Sequence, residues 1–559
     1  MTQRLSRRAA LRLIGGASAT ALLAACGSSA APAAAPASQA TTTSVSKTTS
    51  ATTSQAASTA ASQTTSAATS QAASSSTVSA AASPSSSSAD PTSVIKLPQT
   101  GVKLPTDKVT FHWVDSGDSK VVFFTAFFKM YQQAHPNITM QYDGLPWVEI
   151  GKIVPIGVQN GNAPDVFQVP QGIPTAQAVK EGWVQPIEDI VPNFQQWKAA
   201  FPPNSFFEGI TTFNGKVYTF PRSTSKRTSN LIFYNVDQMQ RAGYDPAAKP
   251  FTWDDFRAAA KKITQQGNGQ YFGFITGGNQ TGKWGSTVSG LAQVAGAKAG
   301  TGDVNWQTGE FTYTSDEYLA AIDLLLALKS DNSVFPGSLS INEADARSRT
   351  AQGAATMVLA GEFCSALWVR DNPDFKFNVA APPITGSGPH NLAYDIGANH
   401  QWLYAKSKVP AVAGDIFYYL GTEEGQKEWV TVTNGSDPAA YPQANQQADI
   451  DPRTRQCYTL YDQFLYLNPM PVVRNPDVTQ VLLERKAIHP DFGTVVQGIY
   501  TGQLKDPKAA MKDVQDRTEA ELERAIKVAQ GKGAKVSRDD WKFPDWDPSQ
   551  DYGQEKYKK

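Results

Sequence analysis

The chain reads as an α/β protein built on parallel sheets with helices on their faces. Between residues 109 and 169, three short apolar runs alternate with two stretches of helical spacing. That βαβαβ order places strands side by side in parallel. The alternation resumes after residue 214, as strand, crossing segment, strand and helix in succession. Length is the third observation: beyond its low-complexity end, the 559-residue chain leaves roughly 400–450 residues to fold, enough for two or three domains.

Each element has its own signal. Residues 109–114 alternate and are β-branched or aromatic, a first strand that runs into W-V-D-S-G-D at 113–118. Residues 123–134 carry apolar side chains at helical spacing and stop before His135-Pro136. A second strand follows at 138–142, then a helix at 147–159 that Pro155 disturbs. The run G-N-A-P-D-V at 161–166 opens a third strand, 166–169. Asn214-Gly215 is a hairpin turn signal, followed by a strand at 216–220 that Pro221 stops. Residues 231–234 form a second apolar run, and 236–242 a short helix closed by Gly243. Thr252 is an N-cap, with Asp255 three residues on and Phe256 on the inner face. Strands are predicted at 271–275, 354–359 and 377–381. A helix at 315–331 turns Leu319, Ile322, Leu325, Leu326 and Leu328 inward.

The N-terminus is an address. S-R-R-A-A-L at 6–11 resembles a twin-arginine export motif, and an apolar stretch of about 13 residues follows, too short to span a bilayer. L-A-A-C at 23–26 resembles a lipobox, in which Cys26 becomes the lipidated first residue. From Gly27 to about Ser93 the chain is Ser, Ala, Thr, Gln and Pro, a composition that cannot repay its own ordering entropy. It reads as a tether with a reach of about 45 Å. Only Cys364 and Cys457 remain, in no C-x-x-C pattern, so metal and redox-motif readings are weak. Outside the cytoplasm these two could form one disulfide only if the fold brings them together. Lys and Arg together equal Asp and Glu, and the formal charge is zero, which argues against nucleic acid or an anionic membrane as the main partner. The histidines are scattered, with no H-E-x-x-H and no G-x-S-x-G elbow. No cofactor is expected.

Several motifs together resemble the carbohydrate-binding solute-binding proteins of ABC importers, family 1. They are G-K-V-Y-T-F-P at 215–221, Y-N at 234–235, T-W-D-D at 252–255 and G-N-A-P-D-V at 161–166. Residues 354–359, the stretch 397–407 and the helix from 411 with T-E-E-G-Q at 422–426 resemble later family elements. The likeness spans about 108–529. It implies a two-lobed, type II periplasmic-binding-protein-like fold, with a hinge between the lobes. The expected layout is a signal peptide (1–25), lipidated Cys and tether (26–105), lobe 1 (106–222) and lobe 2 (223–397). Residues 398–530 return to lobe 1 and close the fold with helices shared between lobes. A polar tail, 531–559, has no counterpart in the resemblance. The resemblance also implies no catalysis, a monomer, a permease partner and an extracytoplasmic protein held at the membrane through Cys26.

In open α/β sheets the ligand sits at the carboxyl ends of strands. That rule selects Trp113, Asp115 and Ser116 after the first strand, Asp143 and Trp147 after the second, and Asp165 and Gln168 at the third. It adds Arg222 in the crossing segment, and Glu362 and Trp368 after the strand at 354–359. Asp395, Asn399 and His400 lie at the return crossing, and Trp284 in a glycine-rich loop. Residues 222–228 and 396–399 are hinge candidates. Indole faces cover the C–H face of a sugar ring, and planar polar groups meet its paired hydroxyls. Three alternatives stay open. One is a secreted glycoside hydrolase using two carboxylates among Asp115, Asp165 and Glu362. The others are a binder of iron, polyamine, peptide or anion on the same fold, and a sensing lipoprotein with no transporter.

Overall fold

The computed structural model describes residues 90–117, 119–386, 390–397 and 400–558. The export signal, Cys26, the tether up to residue 89 and Asn399 fall outside them. Residues 90–105, which the expected layout gives to the tether, pack on the folded body. Ile95 is buried there, and the Lys96 N–H donates to Glu428 Oε2 at 2.8 Å.

Lobe 1 begins with β1 (Val109–Asp115), α1 (Lys120–Ala134), β2 (Ile138–Gly144), α2 (Trp147–Asn160) and β3 (Val166–Gln168). β1 lies between β2 and β3, parallel to both. Phe123, Phe124, Phe127, Phe128 and Tyr131 recur at helical spacing on α1 and are all buried. α2 runs through Pro155 without ending and stops at Gly161, whose φ of 76° closes the last turn. The Asn214-Gly215 turn forms, but only Lys216–Val217 pairs with Thr212–Phe213. Residues 218–220 are outside any strand, although the Tyr218 N–H still donates to the Thr211 carbonyl at 3.0 Å.

Lobe 2 holds β4 (Leu231–Asn235), α3 (Trp253–Gly267), β5 (Phe272–Ile275), α4 (Thr281–Val294), α5 (Asp316–Ser330), β6 (Ala355–Ala360), α6 (Glu362–Asp371) and β7 (Phe377–Ala380). Its sheet order is β7-β4-β6-β5, with β4 antiparallel to both neighbours and β5 parallel to β6. Every residue of β6 is buried, as a central strand covered on both faces requires. Thr252 and Asp255 form the reciprocal capping box that starts α3. On α5 the buried set is Tyr318, Ala321, Ile322, Leu324, Leu325 and Leu328, while Leu319 and Leu326 are half-buried. The inward face is rotated from the predicted stripe because α5 packs on α3 and α4 at once.

The chain then returns. β8 (Gln401–Leu403) pairs antiparallel with β3, so the lobe 1 order is β8-β3-β1-β2. α7 (Pro410–Leu420) and α8 (Glu423–Val432) bring Phe417 against Trp113 of β1 and Trp429 against Phe123 and Phe124 of α1. α9 (Pro452–Phe464) packs on α6 and β7 of lobe 2, so residues between 433 and 451 make a further passage between the lobes. α10 (Phe492–Thr501) and α11 (Pro507–Gly531) complete lobe 2 against α4 and α5. In the tail, Trp541, Phe543, Trp546 and Tyr552 are buried, and the Arg474 guanidinium lies 3.8 Å over the Phe543 ring. Cys364 and Cys457 are both buried free thiols. Among the described residues no helix is long and apolar enough to cross a membrane, and no group of three metal-ligating side chains gathers.

Candidate functional site

The carboxyl ends of β1 and β3 are tied together first. The Ser116 N–H donates to Gln168 Oε1 at 2.7 Å. Asp115, fully buried, accepts from the Gly117 N–H at 2.9 Å and the Tyr142 hydroxyl at 3.0 Å. Burial pushes its carboxyl pKa up, with Lys120 opposing. Asp115 therefore shapes the turn after β1. Beside it, the Lys120 ammonium donates to Ser116 Oγ at 2.9 Å.

Crossing residues supply the floor. Arg222 is 2 % exposed; its guanidinium lies 3.7 Å from the Trp429 ring centre and its Nε donates to Gln401 Oε1 at 3.4 Å. Its Nη1 has no hydrogen-bond partner. Arg227 Nη1 reaches Asp437 at 2.7 Å and Glu362 at 3.1 Å. Glu362, fully buried just after β6, also accepts from the Tyr461 hydroxyl at 2.5 Å. A lobe 2 carboxylate, a crossing-segment guanidinium and Asp437 thus form one chain between the lobes. Burial would raise the Asp437 carboxyl pKa, yet Lys120, Arg227 and Arg222 together hold it below the usual value. For Glu362 burial wins and the pKa is raised. His400 is 4 % exposed, and burial with Arg222 beside it pulls its pKa down to about 3, so the imidazole is neutral.

These groups surround a cavity of about 390 Å³, walled by Lys120, the loop 168–173, Arg222, Arg227, His400 and Asp437. A second cavity, of about 450 Å³, shares the wall of Ser223, Thr224, Ser225 and His400. Its far side includes Pro202, Pro438, Tyr458 and Asp462, and among the described residues none that belongs to a lobe 1 sheet strand lines it. The strand-end rule therefore favours the first cavity.

Of the residues selected from sequence, Gln168, Arg222 and His400 line that cavity, with Asp115 and Ser116 directly behind it. Trp113 is fully buried, its ring 5.0 Å from Phe124, 5.5 Å from Phe128 and 6.0 Å from Phe417. Trp368 packs edge-on against Phe233, Phe375 and Phe377 and donates to the Arg347 carbonyl. Trp284 packs 4.3 Å from Tyr500 and donates to the Gly278 carbonyl. Trp147 opens α2, half-buried against a small cluster around Ile150. Asp143 pairs with His112 Nε2 at 2.7 Å. Asp165 accepts from the His112 N–H at 2.9 Å and from Ser407 Oγ at 2.7 Å. Asp395 accepts from Asn468 at 3.3 Å. Asn399 lies outside the described residues. Lys120, Arg227 and Asp437 were not selected from sequence as contacts. Lys120 was findable, since it begins the helix after β1; Asp437 has no local signal.

The profile of the bacterial extracellular solute-binding protein family matches residues 115–427, more than half of the chain. The chain belongs to this family. An arabinooligosaccharide-binding protein of Bacillus subtilis is 21% identical over 438 residues, spanning 73% of this solute-binding protein and 93% of the relative. An uncharacterised ABC transporter extracellular-binding protein of Pyrococcus horikoshii is 28% identical over 160 residues, 28% of this chain and 34% of that relative's length. Among solved structures, an ABC transporter solute-binding protein of Thermotoga lettingae bound with α-D-tagatose superposes with a TM-score of 0.56 at 21% identity, covering 75% of this chain and 100% of the other. The type II two-lobed fold of this solute-binding protein follows from this likeness.

Proposed function

We propose that this protein is the extracytoplasmic binding component of an ABC importer, which takes a sugar or oligosaccharide between its lobes and passes it unchanged to a membrane permease. The observation that carries the reading is the strand-end cavity floored by Arg222–Ser225 and Arg227 of one crossing segment and by Gly397 and His400 of the other. A solute there touches lobe 1 and the hinge together, so closure around it changes its contacts. Only such a difference in affinity between open and closed forms moves the equilibrium. The cavity falls within the usual size of solute sites, about 300–1,000 Å³. The arabinooligosaccharide-binding and tagatose-bound relatives support a sugar. Among the described residues a single carboxylate, Asp437, lines the cavity, where glycoside hydrolysis needs two about 5–10 Å apart. The lipobox ending at Cys26 and the tether behind it support a chain anchored by lipid to the outer face of the membrane.

The test is a thermal-shift screen of the mature chain against sugars, polyamines and ferric iron. A cognate sugar adds about 2.7 kcal/mol of stability at a hundredfold excess over its Kd. Stabilisation by iron or polyamine alone, or turnover of a glycan, refutes the proposal. Cys26→Ala should abolish lipid labelling in cells.

A further inference from the structure

The wall chemistry of the strand-end cavity is more specific than the family. Among the described residues three cations line it, Lys120, Arg222 and Arg227, against one carboxylate, Asp437. Among those described residues no phenyl, phenol or indole ring lines it. A neutral sugar ring is ordinarily held by an aromatic face together with carboxylates that accept from its hydroxyls. This cavity offers neither in quantity. The buried carboxylates behind the wall have their own donors. Asp115 is held by Gly117 and Tyr142, and Glu362 by Tyr461 and Arg227.

Two further features favour negative charge. The 15-residue helix α1 begins at Lys120 on the cavity wall, and Ser119 makes no side-chain cap bond to its first turn. The positive end of the helix faces an anion favourably. Arg222, almost wholly buried, carries a guanidinium nitrogen without a hydrogen-bond partner. Buried cationic donors are costly to leave unpaired, so a site that keeps one is completed by an acceptor brought from outside.

We propose that the solute bears an anionic group, as a sugar acid or a sugar phosphate does, and that Lys120, Arg222 and Arg227 meet its anionic oxygens. This rests on the sugar-binding reading of the same cavity and narrows it. Charge-assisted bonds are roughly twice as strong as neutral ones. An acidic sugar should then bind about tenfold more tightly than its neutral parent.

The experiment is calorimetric titration of the mature chain with galacturonate against galactose, glucose 6-phosphate against glucose, and inorganic phosphate. The expected result is a preference of about tenfold or more for one acidic member of a pair, with inorganic phosphate weaker than either sugar acid. Which pair responds separates a carboxylate from a phosphate ester. Lys120→Gln, at a helix start whose side chain is 13 % exposed, should reduce that preference to within about threefold in protein that still unfolds cooperatively. Neutral sugars binding as tightly as their acids overturn this inference and leave the sugar-binding function standing. No binding of any sugar, acidic or neutral, overturns both. Inorganic phosphate binding as tightly as glucose 6-phosphate overturns the sugar half of the claim.

Discussion

Trp113 separates a ligand platform from a core residue, and the two give opposite results on substitution. Its side chain is fully buried in lobe 1, among the rings of Phe124, Phe128 and Phe417 at 5.0, 5.5 and 6.0 Å. An indole removes about 150–250 Å² from water, worth roughly 4–6 kcal/mol at about 25 cal/mol per Å². Alanine keeps the β-carbon, and the surrounding rings close only part of the void, so Trp113→Ala should cost about 3–5 kcal/mol. For a domain the size of one lobe that lowers Tm by roughly 10 °C. Differential scanning calorimetry measures the loss, and titration well below the new Tm measures affinity. The expected pair of results is a large fall in Tm with the Kd of the cognate solute within about threefold of wild type. Tm unchanged with affinity lost would place the indole against solute and refute the packing argument.

Other expectations follow from the same structure. His400 has its pKa pulled down to about 3 by burial and by Arg222, against an unfolded value near 6.5. The unfolded chain takes up a proton below pH 6.5 and the folded one does not, so stability present above that pH is lost as pH falls. At pH 5 the loss is about 2 kcal/mol, and His400→Gln should flatten that part of the profile in urea titrations at pH 5 and 7. Thr252→Ala removes one half of the α3 capping box and should destabilise by about 1 kcal/mol, read from the same titrations. The tail end joins both lobes: the Gln554 N–H donates to Asn204 of lobe 1 at 3.0 Å, and Tyr552 and Tyr557 pack edge-on against Phe543 in the lobe 2 core. Deleting residues 552–559 should raise the unliganded radius of gyration in small-angle scattering while solute binding persists; an unchanged radius would mean the tail does not restrain opening.

Local structure was legible because its causes lie within a few residues. The Thr252–Asp255 box, the Gly243 helix end and the Asn214-Gly215 turn each depend on neighbours in the chain, and each forms. Phe123 to Tyr131 announce a buried helix face by spacing alone. The strand-end rule likewise reached Gln168, Arg222 and His400, since a strand's direction decides which end meets the cleft. Strand 216–220 was over-read because an apolar run does not say how far its pairing extends.

Which tryptophans face solute and which fill the core is decided by packing between distant segments. Trp113 and Trp368 carry no mark in their neighbours that distinguishes the two fates. Arg227 meets Glu362 across 135 positions and Asp437 across 210, and no pattern in the chain links them. The sequence by itself determined the elements, their order and the family, because periodicity and caps act over one or two turns. Only the tertiary structure decided the charge of the cavity wall, because that depends on side chains which approach one another after the lobes have folded.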